Sequence, residues 1–192
     1  MAADSRLRMS FAKDCAAKVR EFGIDGIDID WEYPTSDAAG ISCSPDDRDN
    51  FTLLMRDLRK ALGNKRLLTV AVPGNTNFYD FPSCEKYLDL INLMTYDMHN
   101  PPKHQSALYP SEIADNSVDE VVTKYLALGI PKDKLVVGMP FYTRGGKDSV
   151  LRSYTRTRNP GNYSLIWSEE SKVPYLADSL GVLATSFDDE RS

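Results

Sequence analysis

The sequence predicts an α/β protein built on a parallel sheet. Two observations support this class. Short apolar runs of strand length alternate along the chain with longer amphipathic runs of helical period, and the helical runs carry start and stop signals. The composition, 42% apolar and 27% charged, is that of an ordinary globular chain.

Three helices are predicted from apolar periodicity and caps. The first covers Leu7–Phe22, where apolar residues recur every three or four positions, and it ends at Gly23. The second runs from an N-cap at Ser44 to Leu62. The third opens on the capping box at residues 117–120 and runs through Leu128.

Strands are predicted between and after these helices. The main runs are residues 27–32, 67–72, 90–96 and 135–142, and weaker strand signals follow at 173–176 and 182–187. A polar segment extends from about residue 145 to residue 164 and lacks a regular pattern. These patterns divide the chain into a region of alternating helices and strands, residues 1–144, and a less regular region, residues 145–192.

Three carboxylates occupy alternate positions of the first strand. Asp28, Asp30 and Glu32 alternate with Ile27, Ile29 and Trp31. Side chains two positions apart on a strand share a face, with backbone positions about 6.6 Å apart. Like charges at this spacing raise one another's pKa, and burial adds to the effect. A carboxylic acid kept protonated beside an ionised carboxylate is what general acid catalysis requires.

Other interpretations of the acidic strand remain open. A solvated strand face would tolerate the acids, and a cluster of carboxylates can hold Mg²⁺. A calcium loop is disfavoured because Tyr33 stands where such a loop needs glycine. Activity that survives a chelator would exclude a catalytic metal.

Composition argues against several other classes of function. The net charge of −5 disfavours nucleic-acid binding. Neither a signal peptide nor a membrane span is visible in the chain. Cys15, Cys43 and Cys84 fit no disulfide framework or metal motif, although a Cys43–Cys84 bridge stays open. With two histidines, a histidine-rich zinc site is not expected, and we predict no metal or cofactor.

The acidic strand also carries a resemblance to a known family. Residues 22–34, FGIDGIDIDWEYP, resemble the D-G-x-D-x-D-x-E signature of glycoside hydrolase family eighteen, the chitinases and related N-acetylglucosaminidases. Residues 94–97, MTYD, resemble the family's M-x-Y-D strand end, and residues 138–144, GMPFYTR, resemble its G-x-P-x-Y-G-R strand, with Thr143 in place of glycine. Further matches at residues 173–176 and 187–189 extend the similarity over nearly the whole chain.

The resemblance implies a (β/α)₈ barrel that cleaves β-1,4-linked N-acetylglucosamine polymers with retention, using the substrate's own acetamido group. In that mechanism Glu32 protonates the glycosidic oxygen and later acts as base. Asp30 accepts a hydrogen bond from the acetamido N–H, and Asp28 shares a proton with Asp30. Tyr96 holds the acetamido oxygen.

The resemblance also implies four residues that bind substrate. Asp97 and Arg144 are predicted to contact sugar hydroxyls, and Met94 and Tyr142 to shape the pocket. The expected ligands are chitin or N-acetylglucosamine oligosaccharides. Trp31 points away from the acids and is predicted to pack against a helix, whereas Trp167 is either packing or a distal sugar platform.

Length limits how much of the family barrel the chain can form. Such a barrel takes about 250 residues, and the 192 residues show counterparts of strands 4 to 7 only. We therefore predict an incomplete barrel whose open edges allow self-association. The family implies secretion.

Two further functions remain open at this point. A lectin of the same fold would bind chitin without cleaving it, although such relatives commonly lose the residue that Glu32 represents. An endo-β-N-acetylglucosaminidase acting on N-glycans would carry the same signature. Measuring turnover and binding on one oligosaccharide separates the lectin from the enzymes.

Overall fold

The computed structural model describes residues 1–145, 151–152 and 161–192. Most of the polar segment that the sequence places between residues 145 and 164 lies outside the described residues. In the described part the chain forms two compact units. The first consists of Met1–Leu93 and Tyr125–Val136, and the second of Met94–Lys124 and Val137–Ser192.

Helices and strands alternate through the first two thirds of the chain, and strands dominate the remainder. The helices are α1 (Ser5–Phe22), α2 (Asp47–Leu62), α3 (Phe81–Cys84) and α4 (Val118–Ala127). The strands are β1 (Gly26–Asp30), β2 (Leu67–Val72), β3 (Leu90–Leu93), β4 (Leu135–Val137), β5 (Thr143–Gly145), β6 (Leu151–Arg152), β7 (Ser164–Ser168), β8 (Val173–Ala177) and β9 (Leu183–Ser186). Short 3₁₀ turns cover Thr76–Phe78, Glu85–Tyr87 and Lys132–Lys134.

The sheet of the first unit has the strand order β1-β2-β3-β4. β1 pairs with β2 in parallel, and β2 pairs with β3 in parallel. Parallel neighbours need crossover connections, and α2 and α3 lie between these strands in the chain. The predicted α/β class with a parallel sheet is confirmed.

The core of the first unit lies between the sheet and its helices. α2 packs against α1 and β2. Each element buries one face, because apolar residues recur at helical spacing in α1 and α2 and at alternate positions in β2. The buried apolar residues are Ala12, Ala16 and Val19 of α1, Phe51, Leu54, Met55 and Leu58 of α2, and Leu68, Val70 and Val72 of β2.

The ends of α1 follow the sequence signals. Asp4 caps the helix, because its carboxylate accepts hydrogen bonds from the backbone N–H groups of Arg6 (2.8 Å) and Leu7 (3.0 Å). Gly23 ends it with φ of +64°, a conformation that favours glycine. The predicted first helix is thus present and begins two residues earlier than the periodicity indicated.

The start of α2 differs from the prediction. The helix begins at Asp47 with Asp46 at its N-cap position, not at Ser44. Ser44 instead belongs to a turn before the helix, where its hydroxyl accepts from the Asp46 N–H (3.2 Å) and the Asp47 carboxylate accepts from the Ser44 N–H (2.8 Å). Ser44 therefore forms its hydrogen bonds within this turn and does not cap α2.

Three strands are shorter than predicted. β1 ends at Asp30, β3 at Leu93 and β4 at Val137, whereas the patterns extended to residues 32, 96 and 142. In β1 the pairing with β2 stops at the Asp30–Ala71 pair, so Trp31 and Glu32 lie beyond the ladder. The Leu67–Val72 prediction is confirmed as β2.

The second unit contains a sheet of order β6-β5-β9-β8-β7 with antiparallel pairs. The strands predicted at residues 173–176 and 182–187 are confirmed as β8 and β9. Trp167 of β7 lies under the Arg191 guanidinium, 4.6 Å from the ring centroid, so its ring face packs against a side chain of its own unit. The predicted boundary between residues 144 and 145 falls inside β5.

No helix in the described residues is long and apolar enough to cross a membrane.

Cys15, Cys43 and Cys84 are free thiols, so the Cys43–Cys84 bridge is not formed. Cys84 is buried, and burial raises the pKa of its thiol to about 12.

A buried histidine lies in the core of the second unit. His104 is fully buried, with Nε2 placed 3.1 Å from both the Pro174 and Phe187 carbonyl oxygens. The backbone N–H of Ser106 donates to Nδ1 (3.2 Å). These partners select the neutral tautomer that carries its proton on Nε2. Burial lowers the pKa of His104 from 6.5 to about 4, and the two carbonyls offset only part of this shift.

His104 therefore makes the stability of the protein depend on pH. Its contribution is fully present above pH 6.5, where the imidazole is neutral in both states, and is lost as the pH falls towards 4, by about 1.4 kcal/mol per pH unit. Proton NMR of the folded protein should show no His104 titration above pH 5, with a His99→Gln variant used to assign the signal. An inflection of the His104 resonance near pH 6.5 would contradict this prediction.

Candidate active site

The strand that carries the acids lies very close to β2. A Cβ atom added to Gly26 would come within 2.0 Å of the Leu67 carbonyl oxygen, so only glycine fits at this point. The close approach sets a register in which Asp28 pairs with Thr69 and Asp30 pairs with Ala71. Gly26 therefore helps to position the acidic residues on the sheet.

The three predicted carboxylates are grouped at the carboxyl end of β1. Asp28 and Asp30 lie on one face of the strand, and both are exposed. Glu32 follows two residues after the strand ends and is half-buried. Glu32 and Asp30 share a side-chain hydrogen bond.

The environment of Asp30 favours its protonated form. Although Asp30 is exposed, neighbouring atoms displace part of the water around its carboxyl group, and this partial desolvation raises its pKa. The charges of Glu32 and Asp28 raise it further, and the hydrogen bond with Glu32 acts in the same direction. Asp30 therefore tends to hold a proton in its hydrogen bond with Glu32. Such a pair can supply an acid and an anion at one place.

Asp28 has different partners. Its Oδ1 accepts a hydrogen bond from the Thr69 hydroxyl and a second one from the Asn92 amide, at 2.9 Å. The proton shared by Asp28 and Asp30 that the resemblance implies stays a prediction. Thr69 and Asn92 were not singled out from the sequence, although each is a polar residue in an otherwise largely apolar strand. A polar residue within an apolar strand is the sequence signal that identifies both as candidates.

Aromatic residues surround the acids within the first unit. Trp31 lies 6.2 Å from Phe51 of α2, measured between ring centroids, as expected for a residue that packs against a helix. The buried Tyr79 donates its hydroxyl to the Trp31 carbonyl oxygen (3.0 Å). Tyr33 stacks on Phe78 at 4.9 Å. These contacts hold the backbone on both sides of Glu32.

A second group of predicted residues lies within the second unit. Tyr96 and Tyr142 contact each other edge to face, with ring centroids 6.5 Å apart. Arg144 forms an ion pair with Asp97 and also donates to the Asn100 side-chain oxygen (2.8 Å). Met94 belongs to this unit as well and is half-buried.

The charges of this second group are balanced against each other. Burial by itself raises the pKa of Asp97, but hydrogen bonds from Arg144 and Tyr142 outweigh it and lower the pKa overall. The pKa of Tyr142 is raised by burial and by the Asp97 hydrogen bond. Asp97 has φ of +56°, a strained conformation for a residue other than glycine, and such strain is common at functional sites.

Asn100 and Gln105 support the second group and were not predicted. Asn100 accepts from Arg144, and the buried Gln105 donates its amide to the Tyr142 carbonyl oxygen (3.2 Å). Asn100 lies close to the predicted MTYD segment in the chain, which is a usable signal. The contact of Gln105 with Tyr142 cannot be predicted from the sequence, because the two residues are 37 positions apart in the chain.

The structure thus groups Asp28, Asp30 and Glu32 in the first unit. It groups Tyr96, Asp97, Tyr142 and Arg144 in the second unit. Within the residues that the structure describes, no cluster of three or more histidine, cysteine, aspartate or glutamate residues is arranged to hold a metal ion.

Known proteins resemble this chain over its whole length. The model of glycosyl hydrolases family 18 matches residues 1–192. Chitotriosidase-1 of Mus musculus is 36% identical over 236 aligned residues, which cover 100% of this chain and 49% of that protein. The chain therefore spans about half the length of this relative.

Solved structures show the same similarity in three dimensions. A family 18 N-acetylglucosaminidase from Paenibacillus barengoltzii superposes with a TM-score of 0.86 at 32% identity, covering 99% of this chain and 66% of that one. The Group IV chitinase of Ostrinia furnacalis, solved in complex with allosamidin, superposes with a TM-score of 0.82 at 29% identity. The match covers 100% of this chain and 62% of the chitinase chain. The (β/α)₈ fold class is confirmed, and the chain belongs to glycosyl hydrolases family 18.

Proposed function

We propose that the protein is a chitinase-like glycosidase that cleaves β-1,4-linked N-acetylglucosamine polymers or oligomers with retention. The observation that carries this proposal is the hydrogen-bonded Asp30–Glu32 pair at the carboxyl end of β1, in which the pKa of Asp30 is raised. Catalytic residues of (β/α) barrels lie at these strand ends. The names of the relatives, a chitotriosidase, a chitinase and an N-acetylglucosaminidase, support the same class of substrate.

In the first step of the proposed mechanism, the substrate's acetamido oxygen attacks the anomeric carbon. The bond from that carbon to the glycosidic oxygen breaks, and Glu32 gives its proton to the departing oxygen. Asp30 accepts a hydrogen bond from the acetamido N–H, which directs the acetamido oxygen and stabilises the positive charge that develops. Asp28 supports Asp30 from the same strand face.

In the second step a water molecule attacks the anomeric carbon of the oxazolinium intermediate. Glu32, now a carboxylate, takes a proton from this water, and the acetamido group is released. Two displacements at one carbon restore the original anomeric configuration, which is retention. Glu32 ends the cycle protonated.

For the second unit we propose a role in sugar binding. Asp97 and Arg144 hold each other in place and offer both an acceptor and donors to sugar hydroxyls. The proposed role of Tyr96 is to donate to an acetamido oxygen, and that of Met94 and Tyr142 is to shape the apolar surface beside it. An extracellular location and self-association through the sheet edges of β1 and β4 are proposed with this function.

Turnover and binding measured on the same oligosaccharide test the proposed function. The 192-residue chain is mixed with chitin hexasaccharide, release of reducing ends is followed, and binding is measured by calorimetry. We expect binding and cleavage, and no cleavage of a glucose hexasaccharide, which lacks the acetamido group. Binding without cleavage would contradict the proposal and favour a lectin, and cleavage of the glucose oligomer would contradict the role of the acetamido group.

A further inference from the structure

We propose that Thr69 and Asn92 are positioning residues that act through Asp28. Their two hydrogen bonds hold the Asp28 carboxylate beside Asp30, so that the negative charge of Asp28 keeps the proton of the Asp30–Glu32 pair in place. The inference deepens the proposed function and rests on it, because it assigns the tuning of the acid pair to two uncharged side chains on neighbouring strands.

The register of the sheet brings the two donors to one oxygen. Thr69 stands directly opposite Asp28 in the β1–β2 ladder, and Asn92 stands opposite Ala71 in the β2–β3 ladder. The Thr69 hydroxyl and the Asn92 amide both donate to Oδ1 of Asp28. Two donors from two strands restrict the rotation of this carboxylate far more than one would, although the side chain is exposed.

The two polar side chains differ from their strand neighbours. On β2 the flanking Leu68 and Val70 are fully buried, and on β3 the flanking Ile91 and Leu93 are buried. Thr69 and Asn92 therefore point to the opposite face, which is the face of Asp28. Both side chains are held on this face by their hydrogen bonds to the Asp28 carboxylate.

The charge of Asp28 acts on Asp30. Among the described residues of the first unit, Glu32 also acts on Asp30, and the charge of Asp30 in turn acts on the buried Tyr79, on which Tyr33 also acts. The charges of Asp28 and Glu32 both raise the pKa of Asp30. Ala71, opposite Asp30 on β2, is uncharged, as are Thr69 and Asn92. A displaced or protonated Asp28 would therefore lower the proton affinity of the acid pair.

Carbon-13 NMR titration of the Asp30 carboxyl group tests this proposal in the complete chain. The variants are Thr69→Val and Asn92→Leu, which remove one donor each at similar size, and Thr69→Ser is the control that keeps the hydroxyl. We expect Thr69→Val and Asn92→Leu each to lower the midpoint of the Asp30 titration by roughly half a pH unit, about a threefold loss of proton affinity, and Thr69→Ser to leave it unchanged. Thermal unfolding identifies any variant that fails to fold, and Thr69→Val alone is sufficient for the test.

A double-mutant cycle with Asp28→Asn assigns the effect to Asp28. In the Asp28→Asn background, Thr69→Val should cause no further change of the Asp30 midpoint. The proposal is overturned if Thr69→Val leaves the Asp30 midpoint unchanged, or if it causes the same shift without the Asp28 charge. Because the titration needs no substrate, its result tests the proposed role of Thr69 even if the chain does not cleave chitin. Where cleavage is measurable, the alkaline limb of kcat/KM should move to lower pH with KM unchanged.

Discussion

A Glu32→Gln variant is expected to lower kcat for chitin-oligosaccharide cleavage by about 10²–10⁴-fold, the usual contribution of one general acid–base group. Glutamine has nearly the size of glutamate and can keep a hydrogen bond to Asp30, but it can neither give the proton to the glycosidic oxygen nor take one from water. Because Glu32 lies beyond the end of β1 and is only half-buried, the fold should be unaffected.

Steady-state kinetics on a chitin hexasaccharide measure this loss, with thermal unfolding recorded in parallel. Glu21→Gln is the matched control, because Glu21 is an exposed residue of α1 whose ion pair with Lys18 is solvent-exposed. The control should retain full kcat. Turnover by Glu32→Gln at the unmodified rate would remove Glu32 from the mechanism.

Asp30→Asn is expected to lower kcat by about 10²–10³-fold, the size of effect seen when one group that stabilises a developing charge is removed. An asparagine amide is uncharged, so it stabilises the positive oxazolinium poorly, and its NH₂ group can face the acetamido N–H unproductively. The loss should appear mainly in kcat, because the charge that Asp30 stabilises develops only along the reaction.

The variant also changes the acid pair itself. Burial and the charge of Glu32 raise the pKa of Asp30, so the substitution removes the ionisable group of this pair whose pKa is raised. The pH profile of the residual activity should therefore lose one of its limbs. Asp14→Asn, an exposed substitution of the same kind on α1, serves as the control. A loss confined to KM would show that Asp30 only binds the substrate.

The sequence predicts regular elements best where one pattern determines them. β2 has the predicted limits because its buried residues alternate strictly and Pro73 follows at once. α1 is recovered because its buried face and its glycine stop agree. The start of α2 was wrong because Ser44 and Asp47 bond to each other in a turn ahead of the helix, a choice that depends on local folding.

The acidic face of the site follows from strand period, but its partners do not. Alternation alone places Asp28 and Asp30 on one side of β1. That Asp28 meets Thr69 and Asn92 depends on the register of three strands, and these partners are 41 and 64 residues away in the chain. Likewise, Asp97 and Arg144 pair across 47 residues, which only the resemblance made predictable.

The proposed mechanism retains the anomeric configuration through two displacements, and Glu32 moves the proton in both steps. Proton NMR of the products in the first minutes of chitin-oligosaccharide cleavage tests it most directly, because it shows which anomer forms before mutarotation. We expect the β-anomer to form first with the natural chain, and product to form about 10²–10⁴-fold more slowly with Glu32→Gln. Initial release of the α-anomer, or product formation by Glu32→Gln at the natural rate, would contradict it.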